Sequence, residues 1–257
     1  MNQLRKYFVF AVLVLSACIL YVLKSKTNEP APTTRTVTLP KIEIEEEVRG
    51  NIVIIIDDFG YRNDNVSEGF LLLDANLTFA VIPGHHNSKV FAAKAEQRGF
   101  EVIVHMPMES TTKTPGEKEY MLSTSMTSSE IENRVEQVIA EFPEAVGMNN
   151  HQGSKATADK RIMNIVSNIL KRHGKYFIDS RTTAETVAET TMRSRGIPTM
   201  RRHVFLDNEN KKIKIREQLY KLVDKAESKG LGVGIGHAKL NTFEVLKEEI
   251  PKLKEDG

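Results

Sequence analysis

Beyond position 50 the chain alternates short, almost uninterrupted apolar runs with longer stretches in which Ile, Leu and Val recur three and four residues apart. The runs fall at 52–56, 77–82, 101–105, 145–149, 176–179, 203–206 and 231–236, each of strand length. Ile52-Val53-Ile54-Ile55-Ile56 is apolar at every position, as a parallel strand covered on both faces requires. Helical spacing is clearest at 129–142, 159–173 and 213–229, with Ser129 and Asp159 as N-caps and Gly174 and Gly230 as stops. Strands alternating with helices predict an α/β fold built on a parallel sheet, and periodicity does not choose between a barrel and a doubly wound sheet. The connection 106–126 has no periodic face and is rich in Ser, Thr, Pro and Gly, a composition typical of functional or mobile loops.

The N-terminal pattern is different. Arg5 and Lys6 precede an apolar run at 7–23, and Lys24 and Lys26 close it. The run is longer than the roughly 7–15 residues of a cleaved signal core and near the minimum for spanning a bilayer. Cys18, the only cysteine, follows Leu15-Ser16-Ala17, which resembles a lipoprotein cleavage box. Residues 1–26 therefore read as a signal anchor or a lipoprotein-type signal. Residues 27–50, with Pro30, Pro32 and Pro40 ahead of Glu43, Glu45, Glu46 and Glu47, read as a flexible linker. Residues 51–257 form one catalytic domain, expected outside the cytoplasm, membrane-anchored at the cell envelope or secreted. With Cys18 in the anchor, that domain needs no disulfide. The balance of 36 Lys+Arg against 34 Asp+Glu offers no basic surface for tracking phosphates, which argues against nucleic acid as a partner.

Candidate chemistry gathers at strand ends. Parallel α/β folds bind ligands at the carboxyl ends of their strands. Here those ends carry Asp57 and Asp58, then His105, Asn149-Asn150-His151, Asp179-Ser180-Arg181, Asp207 and His237. Helix capping explains an Asp or Asn after a strand, but not three histidines. Carboxylate and imidazole together suit zinc, whose catalytic sites use three protein ligands and leave one position open. Asp58, His105 and His151 make such a set; Asp57 is placed to take a proton from water and His237 to protonate a leaving group. Asp179 and Arg181 either pair with each other or brace the ligands from behind. His85, His86, His173 and His203 read as surface or packing residues.

Ile55-Ile56-Asp57-Asp58-Phe59-Gly60-Tyr61, His105-Met106-Pro107-Met108-Glu109, Asn149-Asn150-His151-Gln152-Gly153-Ser154, Phe177-Ile178-Asp179-Ser180-Arg181-Thr182, Val204-Phe205-Leu206-Asp207-Asn208 and Gly234-Ile235-Gly236-His237 resemble, in order, the blocks of the divergent polysaccharide deacetylase family. The resemblance implies a NodB-like distorted (β/α) barrel with about seven parallel strands, a divalent metal such as Zn2+, and hydrolysis of N-acetyl groups on a cell-envelope or extracellular polysaccharide. It gives Asp57 the role of base, Asp58 that of metal ligand and His237 that of general acid. Related deacetylases bind metal through two histidines four residues apart, whereas Glu109 stands four residues after His105. His151 is the expected third ligand and Glu109 the runner-up. Glu109, Asn150, Ser154, Asp179, Arg181 and Asp207 are expected to bind substrate or support the ligands. The competing function is a non-catalytic, metal-containing glycan-binding protein of the envelope; a phosphoesterase on the same scaffold ranks last, since little basic charge gathers at the strand ends.

Overall fold

The computed structural model describes residues 48–112 and 116–257. The anchor at 1–26 and all but the last residues of the linker at 27–50 lie outside the described residues; among those described, no helix is long and apolar enough to cross a membrane. The elements run β1 (Asn51–Phe59), α1 (Asn65–Phe70), β2 (Thr78–Val81), α2 (Ser88–Gln97), β3 (Glu101–Met108), α3 (Ser128–Glu141), β4 (Gly147–Gln152), α4 (Lys160–Arg172), β5 (Tyr176–Asp179), α5 (Ala188–Ser194), β6 (Thr199–Arg201), β7 (Val204–Phe205), α6 (Lys212–Lys229), β8 (Leu231–His237) and α7 (Leu240–Glu255). All eight strands join one sheet in the order β6-β5-β4-β3-β2-β1-β8-β7, every pair parallel.

The two edge strands are consecutive in the chain. Only Arg202 and His203 separate β6 from β7, and three Cα steps reach about 10 Å at most. The sheet must therefore curl until its opposite edges face each other across a seam that the covalent chain, rather than a hydrogen-bond ladder, holds together. The result is a distorted barrel of eight strands, one more than the apolar runs predict. The additional strand, β6, is three residues long and partly exposed, so it leaves no apolar run to read; the run expected at 203–206 contributes only Val204–Phe205.

Alternation along the strands sorts side chains between two layers. Val53, Ile55, Ala80, Ile103, Ile178, Met200, Val233 and Ile235 pack together inside the barrel. Ile54, Ile56, Phe79, Val104, Met148 and Phe177 belong to the larger layer beneath the helices, with Ile131, Val135, Ile162, Val166, Leu219 and Leu222. At about 1.5–3 kcal/mol for each large side chain fully buried, that outer layer dominates stability. At the amino-terminal end of the strands, Glu101 Oε1 accepts hydrogen bonds from Tyr176 Oη at 2.5 Å and Thr78 Oγ1 at 3.0 Å. Gly147 makes room for that tyrosine, because a Cβ there would lie 2.7 Å from its ring.

Two details differ from the pattern read along the chain. Helix α3 is capped by Thr127, in a reciprocal box with Glu130, and not by Ser129; Asp159 caps α4 as expected, through Arg161 N and Ile162 N. The connection after β3 is also less irregular than its composition suggests. Leu122 is fully buried, donates its N–H to Pro107 O at 2.9 Å and accepts from Glu109 N at 2.9 Å, which ties the returning chain to the end of β3.

Helices α6 and α7 are joined by Glu249, only 2% exposed, which accepts from Arg216 Nε at 2.8 Å, Tyr220 Oη at 2.9 Å and Lys252 Nζ at 3.0 Å. Burial alone would raise its pKa; Lys252, Arg216 and Tyr220 outweigh burial and hold it at about 2. A depressed carboxylate contributes its full stabilisation above its unfolded pKa and loses it as pH falls through the folded value. Because Arg216 and Lys252 are partly solvent-screened, Glu249→Gln is expected to cost about 1 kcal/mol at neutral pH. Urea melts at several pH values check this: the gap from wild type should close between about pH 4.5 and 2, and a pH-independent gap would contradict the assignment.

Candidate active site

Asp57 continues the inward-facing row of Val53 and Ile55, and alternation would turn Asp58 the other way, toward the helices. The backbone prevents this. Asp58 adopts a left-handed conformation, φ 69°, where the register with β2 slips between Ile56 and Phe59. Asp tolerates that region better than most residues, at a cost of order 1–2 kcal/mol. Gly60 completes the turn at φ 118°, where a Cβ would stand 2.4 Å from Ser88 Oγ. Both carboxylates thus reach the barrel mouth. The other non-glycine residues with positive φ among those described are Gln152, the last residue of β4, and Arg181, two residues past β5, on the same rim. Backbone strain collected on one rim is a mark of a functional site.

His105 on β3 and His151 on β4 meet Asp58 there. His105 Nε2 and His151 Nδ1 each lie 3.4 Å from Asp58 Oδ1 and 3.1 Å from each other. A tetrahedral zinc with bonds of about 2.05 Å has ligand atoms about 3.3 Å apart, so the three donors already have the spacing of one face of a zinc tetrahedron. Asp58 Oδ1 is buried without a hydrogen-bond partner, an expensive state unless a cation completes it. One carboxylate and two imidazoles are also the donor chemistry zinc prefers. Burial would raise the pKa of Asp58, but His105 and His151 hold it well below the ordinary carboxylate range. Burial would lower that of His105, yet Asp57 and Asp58 raise it to about 9.

A polar relay supports this cluster. His105 Nδ1 faces Asn149 Oδ1 at 2.7 Å, and Asn149 Nδ2 donates to Asp57 Oδ1 at 2.8 Å. The first contact keeps the proton of a neutral His105 on Nδ1 and frees Nε2; the second fixes one oxygen of Asp57. Burial pushes the Asp57 carboxyl up, against the pull of His105 and His237. Register makes the arrangement possible, because Asn149 pairs with His105 and His237 pairs with Asp57 across adjacent parallel strands. Asn149 stands in the polar run within β4, and its role becomes visible only once strand pairing is known.

His237 closes the other side. Its Nδ1 lies 2.8 Å from Asp207 Oδ1, its backbone N–H donates to Asp207 Oδ2 at 2.9 Å, and Thr242 Oγ1 donates to the same oxygen at 2.9 Å. Nε2 faces the opening, 3.9 Å from Asp58 Oδ2. Burial opposes protonation of His237, but Asp207, helped by Asp58 and Asp57, raises its pKa. A cleft of about 190 Å3 opens here, lined by Asp58, Tyr61, Arg62, Ser67, His237, Ala238 and Lys239. Hollows of about 680 Å3 occur elsewhere, at the seam and at the amino-terminal end of the barrel, without a comparable cluster of ligand atoms among the described residues.

The remaining residues singled out from the sequence brace the rim. Glu109, the runner-up ligand, lies outside the cluster of Asp58, His105 and His151: Oε1 pairs with Lys155 Nζ at 2.7 Å, while Oε2 accepts from Thr124 N at 2.7 Å, Thr124 Oγ1 at 2.7 Å and Ser123 Oγ at 3.0 Å. Asp179 and Arg181 do not form an ion pair; Asp179 accepts from the Arg181 backbone N–H at 2.9 Å and from Thr186 Oγ1 at 2.9 Å. Asn150 accepts from Ser180 N at 2.9 Å and donates to Gln152 O at 2.7 Å, and Ser154 Oγ accepts from Thr111 N at 2.9 Å. Basic charge near the mouth comes from Arg62, Lys239 and Arg202, which the strand ends do not reveal. Arg202 donates to Ser180 O at 2.7 Å and Arg181 O at 3.0 Å and covers the Phe205 ring, itself 5.3 Å from His237. His85, read as a surface or packing residue, instead meets Glu117 beside the site.

Comparison with known proteins agrees with this architecture. Residues 54–257 match the family described as divergent polysaccharide deacetylase. The uncharacterized protein YibQ of Escherichia coli (strain K12) is 36% identical over 207 residues, 80% of this chain but only 64% of that protein, so the chain spans a little under two thirds of that relative's length. An uncharacterized protein of Haemophilus influenzae is 30% identical over 208 residues, 81% of this chain and 74% of that protein. Among solved structures, an uncharacterized protein of Agrobacterium tumefaciens C58 shares the fold with a TM-score of 0.76 at 18% identity, over 82% of this chain and 87% of that one. With its eight-stranded barrel and a family match over residues 54–257, the chain belongs to the divergent polysaccharide deacetylase family.

Proposed function

We propose that the chain is a metal-dependent hydrolase that removes N-acetyl groups from a polysaccharide, with Asp58, His105 and His151 as the metal ligands. The observation that carries this reading is the triangle of donor atoms, with edges of 3.1, 3.4 and 3.4 Å, that includes a buried Asp58 oxygen without a hydrogen bond. A divalent cation held there, zinc by donor type, supplies Lewis-acid polarisation of the acetyl carbonyl and an acidified water. The protein's own groups do the rest. Asp57 accepts the proton of the attacking water, and Asn149 aims its carboxylate. His237, protonated at Nε2 and held at Nδ1 by Asp207, donates to the sugar nitrogen as the carbon–nitrogen bond breaks, so that acetate and a free amine leave. The substrate is then a glycan of the cell envelope or its surroundings, reached by a domain exported and anchored through residues 1–26; the basic-flanked apolar run at 7–23 supports that location.

Two measurements test the chemistry. Asp57→Asn should retain metal yet lose about 10²–10⁴-fold in acetate release from N-acetylated glycans; near wild-type turnover would remove Asp57 from the base role. Wild-type protein that holds metal but releases no acetate would instead favour the glycan-binding reading. Asp207→Asn removes the carboxylate that raises the His237 pKa, and His237 must be protonated to act. The alkaline limb of the kcat/KM profile should therefore move to lower pH, and an unmoved limb would contradict the acid assignment.

A further inference from the structure

Glu117 has no part in the chemistry described so far. It sits in the connection after β3, on the stretch that Leu122 ties back to Pro107 and Glu109, and its side chain is only 7% exposed. Tyr61 Oη donates to Glu117 Oε1 at 2.5 Å, and His85 Nε2 lies 2.9 Å from the same oxygen. The Tyr61 and His85 rings rest against each other with centroids 4.1 Å apart. Burial and the Glu117 carboxylate push the Tyr61 phenol up, so it stays protonated and remains a donor. With Tyr61 and His85 both on Oε1, Oε2 is the oxygen turned toward the site, 3.8 Å from His151 Nε2.

That nitrogen matters because of what the other one does. His151 Nδ1 faces Asp58 Oδ1 and His105 Nε2, and a neutral imidazole that offers Nδ1 to a metal carries its proton on Nε2. A carboxylate at Nε2 favours that tautomer, fixes the plane of the ring and raises the basicity of Nδ1. We propose that Glu117 is the positioning residue for His151, selecting the tautomer and ring orientation in which Nδ1 ligates the metal; this rests on the reading of Asp58, His105 and His151 as metal ligands. The separation of 3.8 Å exceeds a hydrogen bond. A small turn about the broad terminal torsion of a glutamate moves both oxygens about Cδ, enough to bring Oε2 closer while Oε1 stays near Tyr61 and His85. His105 is held at its own second nitrogen by the neutral amide of Asn149, so the two imidazoles differ: one is backed by a dipole and the other by a full charge. The Gln152 amide nitrogen lies 3.3 Å from the same His151 Nε2. Its amide turned over would present an oxygen instead, which makes Gln152 the competing acceptor.

The test measures zinc affinity by chelator competition, and the visible spectrum after cobalt substitution, in full-length wild type, Glu117→Gln, Gln152→Ala and His151→Ala. Glutamine keeps an oxygen for Tyr61 and His85 and replaces the charged oxygen that faces His151 Nε2 with a neutral amide donor. Glu117→Gln should bind zinc about 10–100-fold more weakly and shift the cobalt absorption bands, while its metal-free melting temperature stays at the wild-type value and Gln152→Ala binds as wild type does. The proposal is overturned if Glu117→Gln keeps wild-type affinity and spectrum, or if Gln152→Ala alone shows the loss. A lower melting temperature with unchanged affinity and spectrum would make Glu117 a loop tie and overturn it as well. His151→Ala separates this from the underlying reading: zinc bound as tightly as in wild type would remove the metal site itself, whereas zinc lost there and unchanged in Glu117→Gln would remove only the role of Glu117.

Discussion

Carboxylates on consecutive residues, both withdrawn from water, repel each other and lack solvation, so a structure that contains them must supply positive charge within a few ångströms. Asp57 is buried and Asp58 largely so at the mouth of this barrel. Two histidines with raised pKa values, His105 and His237, face them from opposite sides, and His151 completes the ring around Asp58. Much of the local structure serves that electrostatic demand. The left-handed turn at Asp58 brings the second carboxylate inward at the cost of strain, and Asn149 and Asp207 hold the histidines by the nitrogens that face away from the acids. A divalent cation would meet the same demand with greater charge at the point where Asp58 Oδ1 has no hydrogen bond.

The parallel sheet delivers these groups without dedicated scaffolding. Adjacent strands end at the same level, so register alone sets Asp57 beside His237 and His105 beside Asn149. Curling the sheet brings the ends of β1, β3, β4 and β8 around a single opening. The curl follows from a connection of two residues between the opposite edges, Arg202 and His203. Arg202 also ties the seam to the rim through Ser180 O and Arg181 O. The segment that closes the barrel and the segment that frames the site are thus the same piece of chain.

The strand ends were legible in the sequence because burial on both faces leaves unbroken apolar runs, and ionisable residues directly after such runs stand out. That was enough to collect Asp57, Asp58, His105, His151, Asp207 and His237 at one rim. What depends on backbone conformation or on pairing between distant strands was not legible. Alternation predicts that Asp57 and Asp58 diverge, and only the φ of 69° at Asp58 brings both to the mouth. Glu109 carries the right chemistry at the spacing of a missing histidine, yet Lys155, Thr124 and Ser123 occupy its oxygens. Asn149 has partners 44 and 92 positions away and Glu117 has partners 32 to 56 positions away, and no local pattern announces such contacts. Strand β6 is too short and too exposed to leave a hydrophobic signature.

The central claim is that Asp58, His105 and His151 together hold a metal ion. Metal content of the full-length protein, purified beside His151→Ala and Glu109→Ala and supplied with divalent ions, tests it most directly. The account predicts about one zinc per chain in the wild type and in Glu109→Ala, and none in His151→Ala. A wild-type protein that takes up no metal, or a His151→Ala variant that keeps it while Glu109→Ala loses it, would contradict the account.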